Sequence, residues 1–164
     1  MTAVYLREFE PVEDHVVARA QLARPSFLAG QFPLAGREFP PGGVRYSYYI
    51  GYVPDYVSTP TIDLLWYVRD AGASGNVTWQ SNLAAVTPGD AMRLSDKTFA
   101  TPGNTVNSSP TGIQQLNKAT ITVANTDSLA AGDLVIVRIT RDPGNVSCGG
   151  TAVLIGISFN YTGV

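Results

Sequence analysis

Asp133-Leu-Val-Ile-Val-Arg-Ile-Thr-Arg141 and Thr151-Ala-Val-Leu-Ile-Gly-Ile-Ser-Phe-Asn-Tyr161 decide the fold. In the second run every odd position is large and apolar: Val153, Ile155, Ile157, Phe159 and Tyr161. Its even positions, Ala152, Leu154, Gly156, Ser158 and Asn160, are small, polar or mixed. The first run alternates Val135, Val137 and Ile139 with Leu134, Ile136 and Arg138. Strand side chains point to opposite faces with a period of two, so each run presents one oily face. Joined by the turn region Asp142-Pro143-Gly144-Asn145, the two runs predict an antiparallel hairpin. Its oily face needs a second sheet to cover it.

The middle of the chain supplies that sheet. Tyr46, Tyr48, Ile50 and Tyr52 alternate up to Pro54, and residues 61–69 follow with Ile62, Leu64, Trp66 and Val68 on one face. A Gly-rich loop, Asp70-Ala-Gly-Ala-Ser-Gly75, leads to a strand at 76–80 and suggests a second hairpin. Residues 83–86 and 118–124 also read as strands, 92–99 is ambiguous, and 100–111 reads as a polar loop or crossing segment. About seven or eight strands at this spacing predict an all-β protein, an antiparallel β-sandwich over residues 46–164. Period alone leaves immunoglobulin-like and jelly-roll connections both open.

Residues 1–45 differ. Pro11, Pro25, Pro33, Pro40 and Pro41 break the stretch, while Tyr5, Leu6, Phe9, Val12, Val16, Val17, Leu22, Phe27, Phe32 and Phe39 keep it oily. That is too apolar for a free linker and too interrupted for regular elements. It reads as an extended arm with little regular structure that gains order on another surface, or as an irregular first strand with loops on the same domain. Residues 13–24 fit a short helix, and residues 15–18 alternatively fit a short strand.

Composition removes several function classes. At 164 residues one domain is expected, burying roughly 70% of its unfolded surface. Charged residues make up 15%, low against about 25% in soluble domains, which suits a surface that meets other protein. A formal charge of -2 gives no footprint for nucleic acid or an anionic membrane. No secretion signal and no membrane span are expected. Cys148 is the single cysteine, so no internal disulfide forms. His15 is the single histidine and sits far from Cys148, without a nucleophile motif around any serine. Catalytic residues, metal ligands, cofactors and a small-molecule substrate are therefore not expected. The aspartates sit at strand ends, where turn chemistry places them. The aromatics Tyr46, Tyr48, Tyr49, Tyr52, Tyr56, Trp66, Tyr67 and Trp79 read as core and interface packing or, alternatively, as a platform for sugars.

Ile62-Asp-Leu-Leu-Trp-Tyr-Val-Arg69, Gly75-Asn-Val-Thr-Trp79, Leu129-Ala-Ala-Gly-Asp-Leu-Val-Ile-Val-Arg-Ile-Thr-Arg-Asp142 and Ala152–Tyr161 together resemble a jelly-roll module of tailed-bacteriophage structural proteins. The likeness is greatest to the cement, or decoration, proteins on the outside of the head. It implies a jelly-roll-like sandwich that forms a homotrimer, binds the major capsid protein on the outer surface of the virion after synthesis in the host cytoplasm, and has no enzymatic activity. It further implies that the arm bridges neighbouring capsid subunits, with the ten apolar residues from Tyr5 to Phe39 named above as contacts. Multivalent arms would turn modest contacts into tight attachment. The competing expectation is a tail receptor-binding or carbohydrate-binding β-sandwich module.

Overall fold

The computed structural model describes residues 2–9, 21–22, 36–70, 74–90, 98–101, 103–145 and 147–163. Among them it contains strands β1 (Thr2–Tyr5), β2 (Arg7–Phe9), β3 (Gln21–Leu22), β4 (Arg37–Phe39), β5 (Tyr46–Val53), β6 (Tyr56–Val68), β7 (Val77–Val86), β8 (Asn104–Ser108), β9 (Asn117–Thr122), β10 (Asp133–Arg141) and β11 (Ala152–Gly163). They form two antiparallel sheets, an all-β sandwich as expected. The first has the order β3-β4-β11-β6-β9, with β1 also on β11; the second has the order β2-β5-β10-β7-β8.

The chain changes sheet at almost every connection. β1 pairs with β11 and β2 with β5, so the first strand crosses between layers at Leu6, which packs against the core. The span read as an arm thus contributes β1 to β4 to the two sheets, while residues 10–20 and 23–35 lie outside the described residues. Phe39, expected to contact a capsid, is instead a core residue, 1% exposed and edge-on to Trp79 at 5.3 Å.

Two hairpins expected from the sequence are absent. β10 pairs with β5 and β7, whereas β11 pairs with β4, β6 and β1. The run 142–151 is an arch between sheets. The reason is burial: the inward row of β10, Val135, Val137 and Ile139, is covered only by an opposing layer, and its outward Ile136 and Leu134 are packed as well. Likewise β6 and β7 stand in opposite sheets, where Trp66 meets Trp79 edge-on at 5.7 Å.

The alternation in β11 also changes phase. Leu154 stands opposite Trp66 and Gly156 opposite Leu65, leaving Ile155 as an extra residue. A one-residue bulge moves every later side chain to the other face. Ala152 and Leu154 therefore point inward before it, and Phe159 and Tyr161 after it. The runs expected at 76–80 and 83–86 are one strand, β7, and the polar stretch 100–111 contains β8.

The arch is pinned from inside. Arg141, 1% exposed, donates from Nη1 to the carbonyls of Phe39 at 3.2 Å and Gly150 at 2.7 Å, and from Nη2 to the carbonyl of Cys148. Asp142 N donates to Thr78 O at 2.8 Å and Cys148 N to Asn76 O at 3.1 Å, tying the arch to the start of β7. Replacing Arg141 with Met removes these three side-chain bonds from a buried site. Arg141→Met is expected to lose about 3 kcal/mol of unfolding free energy in urea titration, since bonds to a charged group are worth about 1.5–3 kcal/mol each.

At the opposite end, Tyr161 is buried and its hydroxyl donates to Asp55 Oδ1 at 2.7 Å. Burial, then the hydrogen bond to and charge of the Asp55 carboxylate, push the phenol up to about 12 from its ordinary 10.0. The folded state thus favours the protonated phenol. This stabilisation is complete below pH 10 and is lost as pH rises through 12. Tyr161→Phe is expected to cost about 1 kcal/mol at pH 7. The gap between wild type and variant, followed by chemical denaturation, should close as pH rises from 10 towards 12; a gap independent of pH contradicts the assignment.

Candidate functional site

Each sheet has an outward face, and the two differ in how their polar groups are satisfied. On the first sheet, Asp63 is the hub. Its Oδ1 accepts from Thr120 Oγ1 at 2.6 Å, and its Oδ2 accepts from Lys118 Nζ at 2.9 Å and Asn160 Nδ2 at 3.1 Å. Burial alone would raise its pKa, but these hydrogen bonds and the Lys118 charge outweigh it and hold the carboxyl below its ordinary 3.8. Further along, Arg69 pairs with Glu38 and with Asp70, the latter at 3.1 Å. Each of these carboxylates already faces a cation. The face is a closed polar network with Leu65 exposed between its two halves.

The outward face of the second sheet is aromatic. Its rows follow from register: Leu134 stands between Tyr52 and Val86, Ile136 between Ile50 and Ala84, Arg138 between Tyr48 and Asn82, and Thr140 between Tyr46 and Gln80. Ala84, Val86 and Ile136 are buried, with Ile50, Phe99 and Leu134 packed on them, so one half of the face is a small second core. Tyr46, Tyr48 and Arg138 are half-buried, and Tyr52 is 58% exposed.

Phe99 reaches this face because its segment is fastened to β7. Ala100 N donates to Leu83 O at 2.8 Å, and Asn82 Nδ2 donates to Ala100 O at 3.1 Å. Gly103 lets the chain pass close by, since a Cβ there would lie 2.7 Å from Asn82 Nδ2. The Phe99 ring then lies 6.1 Å from Tyr48, which is 6.4 Å from Tyr46. The Arg138 guanidinium lies over two of these rings, 4.8 Å from the Tyr46 centroid and 4.4 Å from that of Phe99. Its Nη2 donates to Asn82 Oδ1 at 3.1 Å. Its Nε is buried and has no acceptor. Among the described residues no carboxylate pairs with it.

The aromatic residues noted in the sequence are dispersed. Trp66, Trp79 and Tyr49 belong to the main core, Tyr56 packs on Tyr161, and Tyr67 lies on the first sheet's outer face. Only Tyr46, Tyr48 and Tyr52 share the aromatic face. Phe99, Asn82 and Arg138 complete it and were not singled out by sequence. The available signal was Arg138 itself, a charged residue following Leu134 and Ile136 in the outward row of β10.

Of the expected contact residues, Phe39 is core and Leu6 packs against the core. Tyr5, Phe9 and Leu22 fall in β1, β2 and β3, while Val12, Val16, Val17, Phe27 and Phe32 lie outside the described residues, as does His15. Cys148 is buried. Asp133 and Asp142 serve turns, with Asp133 Oδ2 accepting from Ala130 N at 2.8 Å and Asp142 Oδ1 from Gly144 N at 2.9 Å, whereas Asp127 Oδ2 accepts from Ala85 N of β7 at 2.9 Å and Asp63, expected near a strand end, lies in the middle of β6. Among the described residues no three His, Cys, Asp or Glu side chains converge on a metal-sized space.

No family model matches the chain, and no curated protein matches it. Among solved structures it is similar to a family 35 carbohydrate-binding module from an environmental isolate, at 6% identity and TM-score 0.49, covering 100% of this chain and 99% of the other. It is similar to the family 35 module from Clostridium thermocellum at 16% identity and TM-score 0.46, covering 99% and 100%. The corresponding module from Cellvibrio japonicus Abf62 aligns at 13% identity and TM-score 0.46, covering 99% and 95%. The expectation of a trimeric capsid cement protein with an arm given over to a shell is corrected here: Leu6 and Phe39, two of its proposed shell contacts, pack in this chain's own core, and β1 to β4 join its two sheets.

Proposed function

We propose that the chain is a carbohydrate-binding β-sandwich module that binds without catalysis, on the outward aromatic face of β5, β10 and β7. The observation that carries this reading is the cluster of Tyr46, Tyr48 and Phe99 around Arg138 and Asn82. A sugar ring offers apolar C–H faces and a rim of hydroxyls. Ligand sites match such molecules with aromatic walls and a few fixed polar groups. Here β5 holds Tyr46 and Tyr48, the segment fastened to β7 holds Phe99, and Asn82 and Arg138 are fixed by each other. The opposite face is less suited, because the acceptors and donors around Asp63 already satisfy one another.

Hydrolysis of a glycosidic bond ordinarily needs two carboxyl groups flanking it. The outward rows of β5, β10 and β7 contain none: their polar members are Tyr, Asn, Gln, Thr and Arg138. Binding is thus the chemistry this face supports.

Affinity electrophoresis through gels containing soluble xylan, galactan, mixed-linkage glucan or pectin tests the reading. At least one polysaccharide is expected to retard the protein, and Tyr48→Ala is expected to weaken that binding about tenfold, the equivalent of 1.4 kcal/mol. Tyr67→Ala, on the other sheet, should bind as wild type does. Retardation by none of the four, or equal loss in both variants, contradicts the proposal.

A further inference from the structure

We infer that Asn82 is the positioning residue of the aromatic face: its single amide holds Phe99 and Arg138 in place together and leaves contact with the sugar to other side chains. The inference rests on the carbohydrate reading above and divides the labour within that site.

Asn82 stands in the outward row of β7, beside Arg138 in register, yet it is only 4% exposed. Both ends of its amide are in use. Oδ1 accepts from Arg138 Nη2 at 3.1 Å, and Nδ2 donates to Ala100 O at 3.1 Å. The first bond fixes a side chain of β10, and the second fixes the backbone beside Phe99. A guanidinium only donates and a carbonyl only accepts, so the group between them must accept at one end and donate at the other. Aspartate in this place would meet Arg138 but turn an acceptor towards the Ala100 carbonyl. Leucine would meet neither. Ala100 N anchors the same residue from its other side, donating to Leu83 O at 2.8 Å. The Phe99 ring lies 4.4 Å from the guanidinium and 6.1 Å from the Tyr48 ring, so a shift of its backbone moves one wall of the site and uncovers Arg138.

Gly103 protects the position of this amide. A Cβ there would lie 2.7 Å from Asn82 Nδ2 and 2.9 Å from Gln80 Cγ. Both are side-chain atoms, and Gly103 is not among the residues with positive φ. Alanine at 103 therefore displaces the Asn82 amide and leaves the strands where they are. Two substitutions, one in β7 and one just before β8, thus reach the Phe99 wall through the same amide.

The test reads the wall first without any sugar. Asn82→Asp and Gly103→Ala are each expected to weaken the nuclear Overhauser cross-peaks between the Phe99 ring and the Arg138 side chain. Each should also speed hydrogen exchange at Ala100 N–H about fivefold beyond any change shared by β6 and β11, the equivalent of one hydrogen bond. If Asn82→Asp does not fold, Gly103→Ala carries the test. Cross-peaks and Ala100 protection that survive in either folded variant overturn the inference. So does faster exchange shared equally by β6 and β11, which is a general loss of stability. With the four polysaccharides of the electrophoresis above, Asn82→Asp should weaken retardation about fivefold and add nothing to Phe99→Leu, because both changes remove the same wall. Additive losses overturn the inference, since Asn82 would then meet the sugar itself. Retardation by none of the four overturns the carbohydrate reading, and the spectra decide the role of Asn82 separately.

Discussion

The packing of two inward rows across the sandwich governs this structure. Trp66 from one sheet meets Trp79 from the other, Phe39 closes on Trp79, and the inward valines and isoleucine of β10 fill the same layer. Layers of this kind stand about 10 Å apart, and their apolar surface is removed from water only when both are present. That requirement sends β10 and β11 to opposite sheets although they are neighbours in sequence. It also turns the segment between them into an arch, and the arch needs a fixing point where it crosses the open end of the sandwich. Arg141 provides one by donating to carbonyls of β4 and of the arch itself. Burying a guanidinium is costly, and here three bonds to buried carbonyls offset that cost.

The same placement creates the outward face. Because β10 lies between β5 and β7, its outward residues are flanked on both sides, and Arg138 falls between Tyr48 and Asn82 by register alone. Phe99 is then brought over it by two hydrogen bonds to β7. The binding surface therefore depends on the strand order of the core behind it. Half of that surface has become a small core of its own around Ile136, which stiffens the sheet beneath the half-open aromatic end.

Much of this was legible in the sequence, and the exceptions share a cause. The period-two pattern of β10 and β5 located both strands, and the oily alternation required two layers. Partner choice was not legible, because alternation says which face is buried and not against what. The Pro-Gly region after Arg141 read as a hairpin turn, yet burial of both faces of β10 outweighed that local signal. In β11 the odd-position pattern was real but spoiled by Ile155: a single inserted residue moves Leu154 to the inward row and keeps Phe159 there. β8 escaped notice because an edge strand of Asn, Thr and Ser, with Val106 its one apolar residue, carries almost no apolar signature. Ser81 and Asn82 hid the continuity of β7: Asn82 holds Arg138 and the Phe99 segment in place, and Ser81 is a polar residue buried opposite Ile139. The Arg138 cluster joins residues distant in the chain, so its parts were visible singly and its assembly only in three dimensions.

Everything above depends on β10 lying between β5 and β7. Inter-strand Hα–Hα and NH–NH contacts in a nuclear Overhauser spectrum of the labelled protein measure this directly. The account predicts cross-peaks linking residues 133–141 to both 46–53 and 79–86, with β11 linked to 56–68 instead. A ladder of cross-peaks joining 134–140 to 152–160 would mean a hairpin. It would take Arg138 away from Tyr48 and Asn82 and contradict both the fold and the site built on it.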